Sequence, residues 1–494
     1  MESAGAQKDP SDQVFILVTG ANSGLGFSIC CRLADEFLRS SANAQKSLTV
    51  VFTTRSTKKG TDTLRRLQDH LRASPAPRKN QVTFLPENVD LSNLLSVRAL
   101  SRRLNSTLPK LDSIILNAGV GGWTGIDWPR AIWGVCTDLV HEVSWPSYKV
   151  APAGMVTESQ IPQGEKEGEV EGEVEEPRLG AVFCANVFGH YMLAHNVMPL
   201  LRASNDDTST FSGRIIWVSS LEASKKYFNI DDLQGLRTTA PYESSKALTD
   251  ILALTADLPS TSPWVNSFYS TSTSTTTTPS TSSSTITRTP STTSRTSTRS
   301  TTTTTTKTAP PTATPTATPT PSIKEPQTPQ PTTHLSHPGI CGTSILPLSA
   351  PLFYSMLIAF WLARMLGSPW HNKTPYMGAC APVFLALATQ SVLDGREAPY
   401  RAHGGSRVKW GSSCSRGGVN SAVSTEVDGW GHGGVVGTPV VEEDRLRRRK
   451  RGDADLGSEE KEEFVELGRR CWREMEVLRG VWEGVLDRVE GGRV

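Results

Sequence analysis

The apolar positions of the first half of the chain alternate between a strand period and a helix period, which outlines a parallel α/β sheet. Val14-Phe15-Ile16-Leu17-Val18 is an unbroken, β-branched apolar run, the pattern of a strand buried on both faces. From Phe27 to about Leu38 the spacing becomes helical, with Ile29, Leu33 and Phe37 on one face. Further strands are expected at Leu48 to Thr54, near Val82 to Leu85, at Ser113 to Leu116 and at Arg214 to Val218. Helical stretches are expected from about Val182 to Leu201 and from Tyr242 through Leu252. The pattern predicts a Rossmann-type, doubly wound parallel sheet over residues 12–258, with the same domain resuming at 334–391. For a sixth strand the sequence offers a short remnant around His334-Leu335-Ser336.

Polar and low-complexity stretches interrupt this pattern. Residues 163–177 form an acidic Glu/Gly run, read as a solvated loop. Residues 268–333 are almost wholly Ser, Thr and Pro and are too poor in apolar side chains to bury a core, so a disordered insertion is expected. The Gly- and Arg-rich stretch 392–457 reads as a second flexible segment. Beyond it, Phe464, Leu467, Cys471, Met475, Leu478, Trp482 and Val485 recur every three or four residues, an amphipathic helix over 458–490 that packs on the domain. The expectation is a single domain with disordered insertions.

The segment 345–366 is apolar on all sides, with Leu352, Phe353, Met356, Leu357, Phe360 and Trp361, and is broken by Pro347 and Pro351 and closed by Arg364. A span wants about 20 apolar residues, so three readings stand: a buried or substrate-covering helix, a monotopic anchor in a membrane surface, or a true span. Formal net charge is +2, which gives no electrostatic case for nucleic acid. The eight cysteines are scattered without C-x-x-C pairs or histidine clusters, so neither a disulfide framework nor a metal site is expected. Residues 1–13 are polar and carry no apolar core, so no secretory signal is read there.

Candidate chemistry starts where the first strand ends. Thr19-Gly20-Ala21-Asn22-Ser23-Gly24-Leu25-Gly26 joins strand to helix, the context a dinucleotide-binding loop needs. Gly20 allows the tight turn, Gly24 and Gly26 admit a pyrophosphate close to backbone, and the helix N-terminus supplies N–H donors. The second strand ends at Arg55, aided by Lys58 or Lys59; an arginine there favours a ribose 2′-phosphate and hence NADPH. Tyr242 and Lys246 are four apart and share one helical face. A phenol is a poor acid/base at neutral pH, and an adjacent ammonium favours its phenolate.

These motifs, with Asn117-Ala118-Gly119 after the fourth strand, resemble the short-chain dehydrogenase/reductase superfamily. The resemblance implies that Thr19, Gly20, Asn22, Ser23, Gly24, Leu25 and Gly26 cradle the cofactor, with Asp90 at the adenine and Asn117 in the central sheet. It implies Tyr242 as proton donor to the ketone, Ser220 as carbonyl partner, Lys246 on the nicotinamide ribose and Asn186 holding a proton-relay water. Pro338-Gly339-Ile340-Cys341-Gly342-Thr343 is similar to the superfamily turn in which Pro338, Gly339 and Thr343 border the nicotinamide.

Within the superfamily, Ser220 and Tyr242 are 22 residues apart rather than about 13, and the insert holds Phe228-Asn229-Ile230-Asp231-Asp232-Leu233-Gln234. That insert, Gly121 to Pro129 and Gly367-Ser368-Pro369-Trp370-His371 look like the 3-ketosteroid reductases of sterol C4-demethylation, relatives of animal 17β-hydroxysteroid dehydrogenase type 7. The implied activity is NADPH-dependent reduction of a sterol 3-ketone at an endoplasmic reticulum or lipid-droplet surface. The alternatives are reduction of another bulky ketone or xenobiotic carbonyl, and an NADPH-binding scaffold for other sterol-biosynthetic enzymes.

Overall fold

The structure, a computed structural model, describes residues 12–161, 176–204, 213–270, 330–343, 345–346, 348–449, 452 and 454–491. Apart from their edges, the acidic run at 163–177 and the Ser/Thr/Pro-rich stretch at 268–333 lie outside the described residues.

The elements β1 (Gln13–Val18), α1 (Gly24–Arg39), β2 (Ser47–Thr54), α2 (Thr57–Ala73), β3 (Val82–Asn88), α3 (Leu94–Thr107) and β4 (Ser113–Leu116) alternate strictly. A short ribbon of β5 (Gly125–Ile126) and β6 (Lys149–Val150) then encloses α4 (Trp128–Thr137) and α5 (Leu139–Ser144). Asp127 and Asp138 start these two helices by accepting the N–H groups of Arg130 and His141. Next come α6 (Ala181–Phe183), a π-helical turn at Cys184–Phe188, α7 (Gly189–Asn196), α8 (Met198–Arg202), β7 (Arg214–Val218), α9 (Pro241–Thr255) and α10 (Ser262–Tyr269). The last part holds β8 (Thr332–His337), α11 (Ala350–Met365), α12 (Pro375–Gly378), α13 (Cys380–Leu387) and α14 (Gln390–Arg401). It closes with β9 (Lys409–Cys414), β10 (Asn420–Thr425), α15 (Glu442–Arg445) and α16 (Ser458–Gly491).

Eight strands form one sheet in the order β10-β9-β8-β7-β4-β1-β2-β3, parallel except for β10 against β9. The unbroken apolar run of β1 is explained by its two neighbours above and below: Phe15 and Leu17 enter one core, Val14, Ile16 and Val18 the other. The first core is closed by α3, α7, α9 and α16, the second by α1 and α13. Strand order reverses between β1 and β4, and in open α/β sheets the crevice at the carboxyl ends of the strands at that point is where ligands sit.

Three expectations need correction. The described residues of 392–457 are folded, supplying most of α14 together with β9, β10 and α15. Their glycines make tight turns, with Gly429, Gly431, Gly433 and Gly434 all at positive φ, while Trp410 and Trp430 are buried. The low-complexity boundaries were set too wide at both ends, because Phe268 and Tyr269 finish α10 and Thr332 and Thr333 begin β8. The remnant at His334-Leu335-Ser336 is a full strand, paired in parallel with both β7 and β9. In α16, Phe464, Cys471, Met475, Trp482 and Val485 are buried in the first core, with Leu467 and Leu478 partly buried beside them.

Candidate active site

The glycine loop is held from below by Thr19. Its hydroxyl accepts the N–H groups of Asn117 at 2.8 Å and Ala118 at 3.0 Å, and Asn117 Nδ2 donates to the Thr19 carbonyl at 2.9 Å. This stitches the ends of β1 and β4 together at the switch point. Thr19, expected to help cradle a cofactor, is fully buried and off the cavity wall, where its hydroxyl pins the loop. Gly20 has φ +71°, and a Cβ there would lie 2.8 Å from Ala118; one on Gly26 would lie 2.2 Å from the Gly20 carbonyl. Ser23, the N-cap of α1, makes no side-chain cap bond, so the first-turn N–H groups keep their donor capacity.

A cavity of about 870 Å³ opens over this loop. Asn22, Ser23, Gly24, Leu25 and Gly26 form one wall, with Gly20, Arg55, Asp90 and Asn117 around them. Arg55 is exposed at the end of β2, while Arg66 of α2 braces the loop by donating to the Asn22 carbonyl at 2.9 Å. The Asp90 carboxylate accepts from Ser92 N at 2.9 Å and Ser92 Oγ at 2.6 Å. Pro338, Gly339 and Thr343 reach the same cavity from the turn after β8, and the Thr343 methyl faces Gly24. This is a groove of backbone donors with a cation at one end, and its glycines leave no Cβ in the way. A dinucleotide fits that donor set.

Ser220, Tyr242 and Lys246 meet where this polar groove turns apolar. β7 delivers Ser219 and Ser220, and Pro241 opens α9 so that Tyr242 and Lys246 project from its first turns. Lys246 Nζ donates to the Val218 carbonyl at 2.8 Å and stands 5.9 Å from the centre of the Tyr242 ring. Burial pushes the Tyr242 phenol well above its ordinary value; the Glu222 charge adds to this, and a Ser220 hydrogen bond opposes it. Burial also lowers the Lys246 ammonium to about 8, with Asp250 raising it and Lys409 lowering it further. The expected bias toward phenolate is therefore outweighed. Burial favours the protonated phenol, the form that suits proton donation.

Asn186 sits in the π-helical turn, buried and off the cavity wall. Its amide donates to the Val120 carbonyl and to Ser245 Oγ, both at 3.0 Å, and accepts Val120 N–H at 2.8 Å. It ties the loop after β4 to α9, one residue from Lys246.

Two groups of side chains in this region carried no sequence motif. Lys409 of β9 donates to the Ser220 carbonyl at 2.7 Å and pairs with Asp250 of α9 at 2.5 Å, so it holds Ser220 from behind. Lys149 and Glu222 line the cavity beside Tyr242 and pair with each other. A lysine flanked by Val408 and Trp410 was the one available sign of the first.

The far half of the cavity is apolar, walled by Trp123, Val135, Val143, Ile340, Met356 and Phe360 among others. Its cover is α5 and α11, which share a small apolar cluster of Val143, Phe360, Ala363, Leu139 and Leu357 that is separate from the two cores. Met356 and Phe360, expected at a lipid interface, point inward instead. The outer face of α11 carries Tyr354, Ile358 (60% exposed), Trp361 and Leu362, and α4 beside it carries Ile132 and Trp133 (73%). No single helix among the described residues is long and apolar enough to cross a membrane; α11 is a shorter apolar helix of 16 residues.

No family model matches the chain. It is 61% identical over 496 residues to the 3-keto-steroid reductase of Aspergillus fumigatus, covering 99% of this chain and 98% of that protein. The 3-keto-steroid reductase of Gibberella zeae is 34% identical over 96% of this chain and 95% of its own length. Among solved structures, salutaridine reductase from Papaver somniferum aligns with a TM-score of 0.29 at 22% identity, over 47% of this chain and 78% of that one. Identity on this scale, end to end, places the chain in the family of the 3-keto-steroid reductases.

Proposed function

We propose that the chain reduces the 3-keto group of a sterol intermediate to the 3-hydroxyl with NADPH, in sterol biosynthesis. One observation carries this reading: Ser220 and Tyr242 stand at the junction of a backbone-lined dinucleotide groove and an apolar chamber, inside one cavity. The names of the relatives support the substrate class. Bound NADPH supplies the hydride for the carbonyl carbon. Ser220 Oγ holds the carbonyl oxygen and Tyr242 gives it a proton. Lys246 keeps a positive charge beneath the phenol as the proton leaves, and the apolar walls hold the sterol rings and exclude water.

The test is incubation of the purified protein with NADPH and a panel of 3-ketosterols, following absorbance and products. Turnover of a 3-ketosterol to its 3-hydroxyl is expected; turnover of only non-steroidal bulky ketones overturns the substrate class. In the same assay Arg55→Asp replaces a phosphate partner with a repelling charge. It should lower the NADPH-to-NADH efficiency ratio roughly 10- to 100-fold, the scale of one charge-assisted hydrogen bond. An unchanged ratio makes Arg55 a surface charge.

We also assign the protein to the cytosolic face of the endoplasmic reticulum or a lipid droplet. Trp133, Ile358, Trp361 and Leu362 place large apolar side chains in solvent beside the cover of the apolar chamber. Each is worth about 1.5–3 kcal/mol if fully buried in lipid, and a sterol would then leave the bilayer directly into the cavity. Flotation with sterol-containing liposomes should carry wild type upward and leave a Trp133→Ser, Ile358→Ser, Trp361→Ser variant behind. Equal flotation of the two, or none by wild type, removes this surface as the anchor.

A further inference from the structure

Three charged side chains with little solvent exposure cluster beside Tyr242, and the proposed reduction uses none of them. Lys149 comes from β6, Glu222 from the turn after β7 and Glu243 from α9. Lys149 Nζ is paired with Glu222 and lies 3.2 Å from Glu243; the three side chains are 4%, 16% and 11% exposed. The same ammonium stands 3.9 Å from the centre of the Trp123 ring and 5.4 Å from that of Tyr242. Trp123 in turn meets Tyr242 edge to face at 4.9 Å. Burying charges costs more than an apolar filling of the same volume, so stability alone does not account for them. Glu222 and Glu243 both help the phenol to hold its proton, and the Lys149 ammonium lies against both of them.

We propose that Lys149, held between Glu222 and Glu243 over the rings of Trp123 and Tyr242, is a positioning residue that fixes the Tyr242 ring and sets the field at its hydroxyl. This rests on the reading of Tyr242 as the acid. The groups facing the phenol are Glu243 and Lys246 on its own helix, Ser220 and Glu222 after β7, Lys149 of β6 and Cys341 after β8. Removing the Lys149 charge leaves two uncompensated carboxylates, so the phenol keeps its proton to higher pH. Neutralising Glu222 acts the opposite way. In reduction Tyr242 gives a proton, so the rate falls as pH rises through its pKa. In the reverse oxidation it takes one, so the rate rises through the same pKa.

The experiment is the pH profile of kcat for oxidation of the 3-hydroxysterol with NADP⁺. Across the working pH range, which lies below the Tyr242 pKa, Lys149→Met should lower kcat at each pH about 10-fold and Glu222→Gln should raise it by a similar factor. Lys149→Arg keeps a positive charge beside both carboxylates and should stay closer to wild type than Lys149→Met does. Profiles that coincide, or that move the same way in both variants, overturn the proposal. Should Lys149→Met fail to fold, the near-isosteric Glu222→Gln decides alone, since only a field effect raises kcat across the profile. Near-normal turnover by Tyr242→Phe would instead sink the reading of Tyr242 as the acid, a result distinguishable from coincident profiles.

Discussion

Tyr242→Phe is expected to bind NADPH as wild type does and to turn over at least about 100-fold more slowly, the scale of losing a positioned general acid. The substitution removes one oxygen and little else. The ring keeps its edge-to-face contact with Trp123, and Lys246 keeps its bond to the Val218 carbonyl. Ser220 remains to hold the carbonyl oxygen, but the phenol that would give the proton is gone. The Tyr242 phenol is the buried, protonated group at the junction of the two halves of the cavity. Steady-state turnover of the 3-ketosterol, alongside a fluorescence titration with NADPH, checks both halves of the expectation. Near-normal turnover would remove Tyr242 from the mechanism, and lost NADPH binding would mean the hydroxyl holds the groove together.

The parts of this site legible in the sequence are the ones written locally. β1, its glycine loop and α1 follow one another without a gap, so the order of residues is the order of the structure. The same holds for Tyr242 and Lys246, whose spacing alone puts them on one face of α9. Roles that depend on distant partners were not legible. Thr19 lies inside the loop motif but acts on Asn117 and Ala118, nearly a hundred residues away. Asn186, which the resemblance gives a proton-relay water, has an amide that bridges two separate segments.

The apolar helix α11 marks a different limit. A helix apolar on every side carries no periodicity to say which face turns inward, so Met356 and Phe360 were indistinguishable from Ile358 and Trp361 until the cover was seen. Composition misled most in residues 392–457. Glycine and arginine count as disorder only when the arginines have no partners. Here Arg407 pairs with Glu397 and Asp257, and Arg447 with Asp444.

Lys409 is the strongest case, and Lys409→Met should lose both stability and turnover. Lys409 and Asp250 are 2% and 3% exposed, and burial pushes each toward its neutral form, the lysine down and the aspartate up. Each keeps its charge because of the other. Removing one partner of such a pair leaves a lone buried charge and costs about 3–5 kcal/mol. Asp250 then loses its counter-charge one helical turn from Lys246, and the Ser220 carbonyl loses its donor. Thermal unfolding should therefore shift down by roughly 5 °C at this size, with kcat falling as the serine loosens. The double variant Lys409→Met, Asp250→Asn removes both charges and should recover most of the melting temperature, because no unpaired carboxylate remains. It should not recover kcat, since nothing restores the donor to the Ser220 carbonyl. Full recovery of both would make Lys409 a structural ion pair alone; a Lys409→Met protein that melts and turns over like wild type would mean the pair does neither.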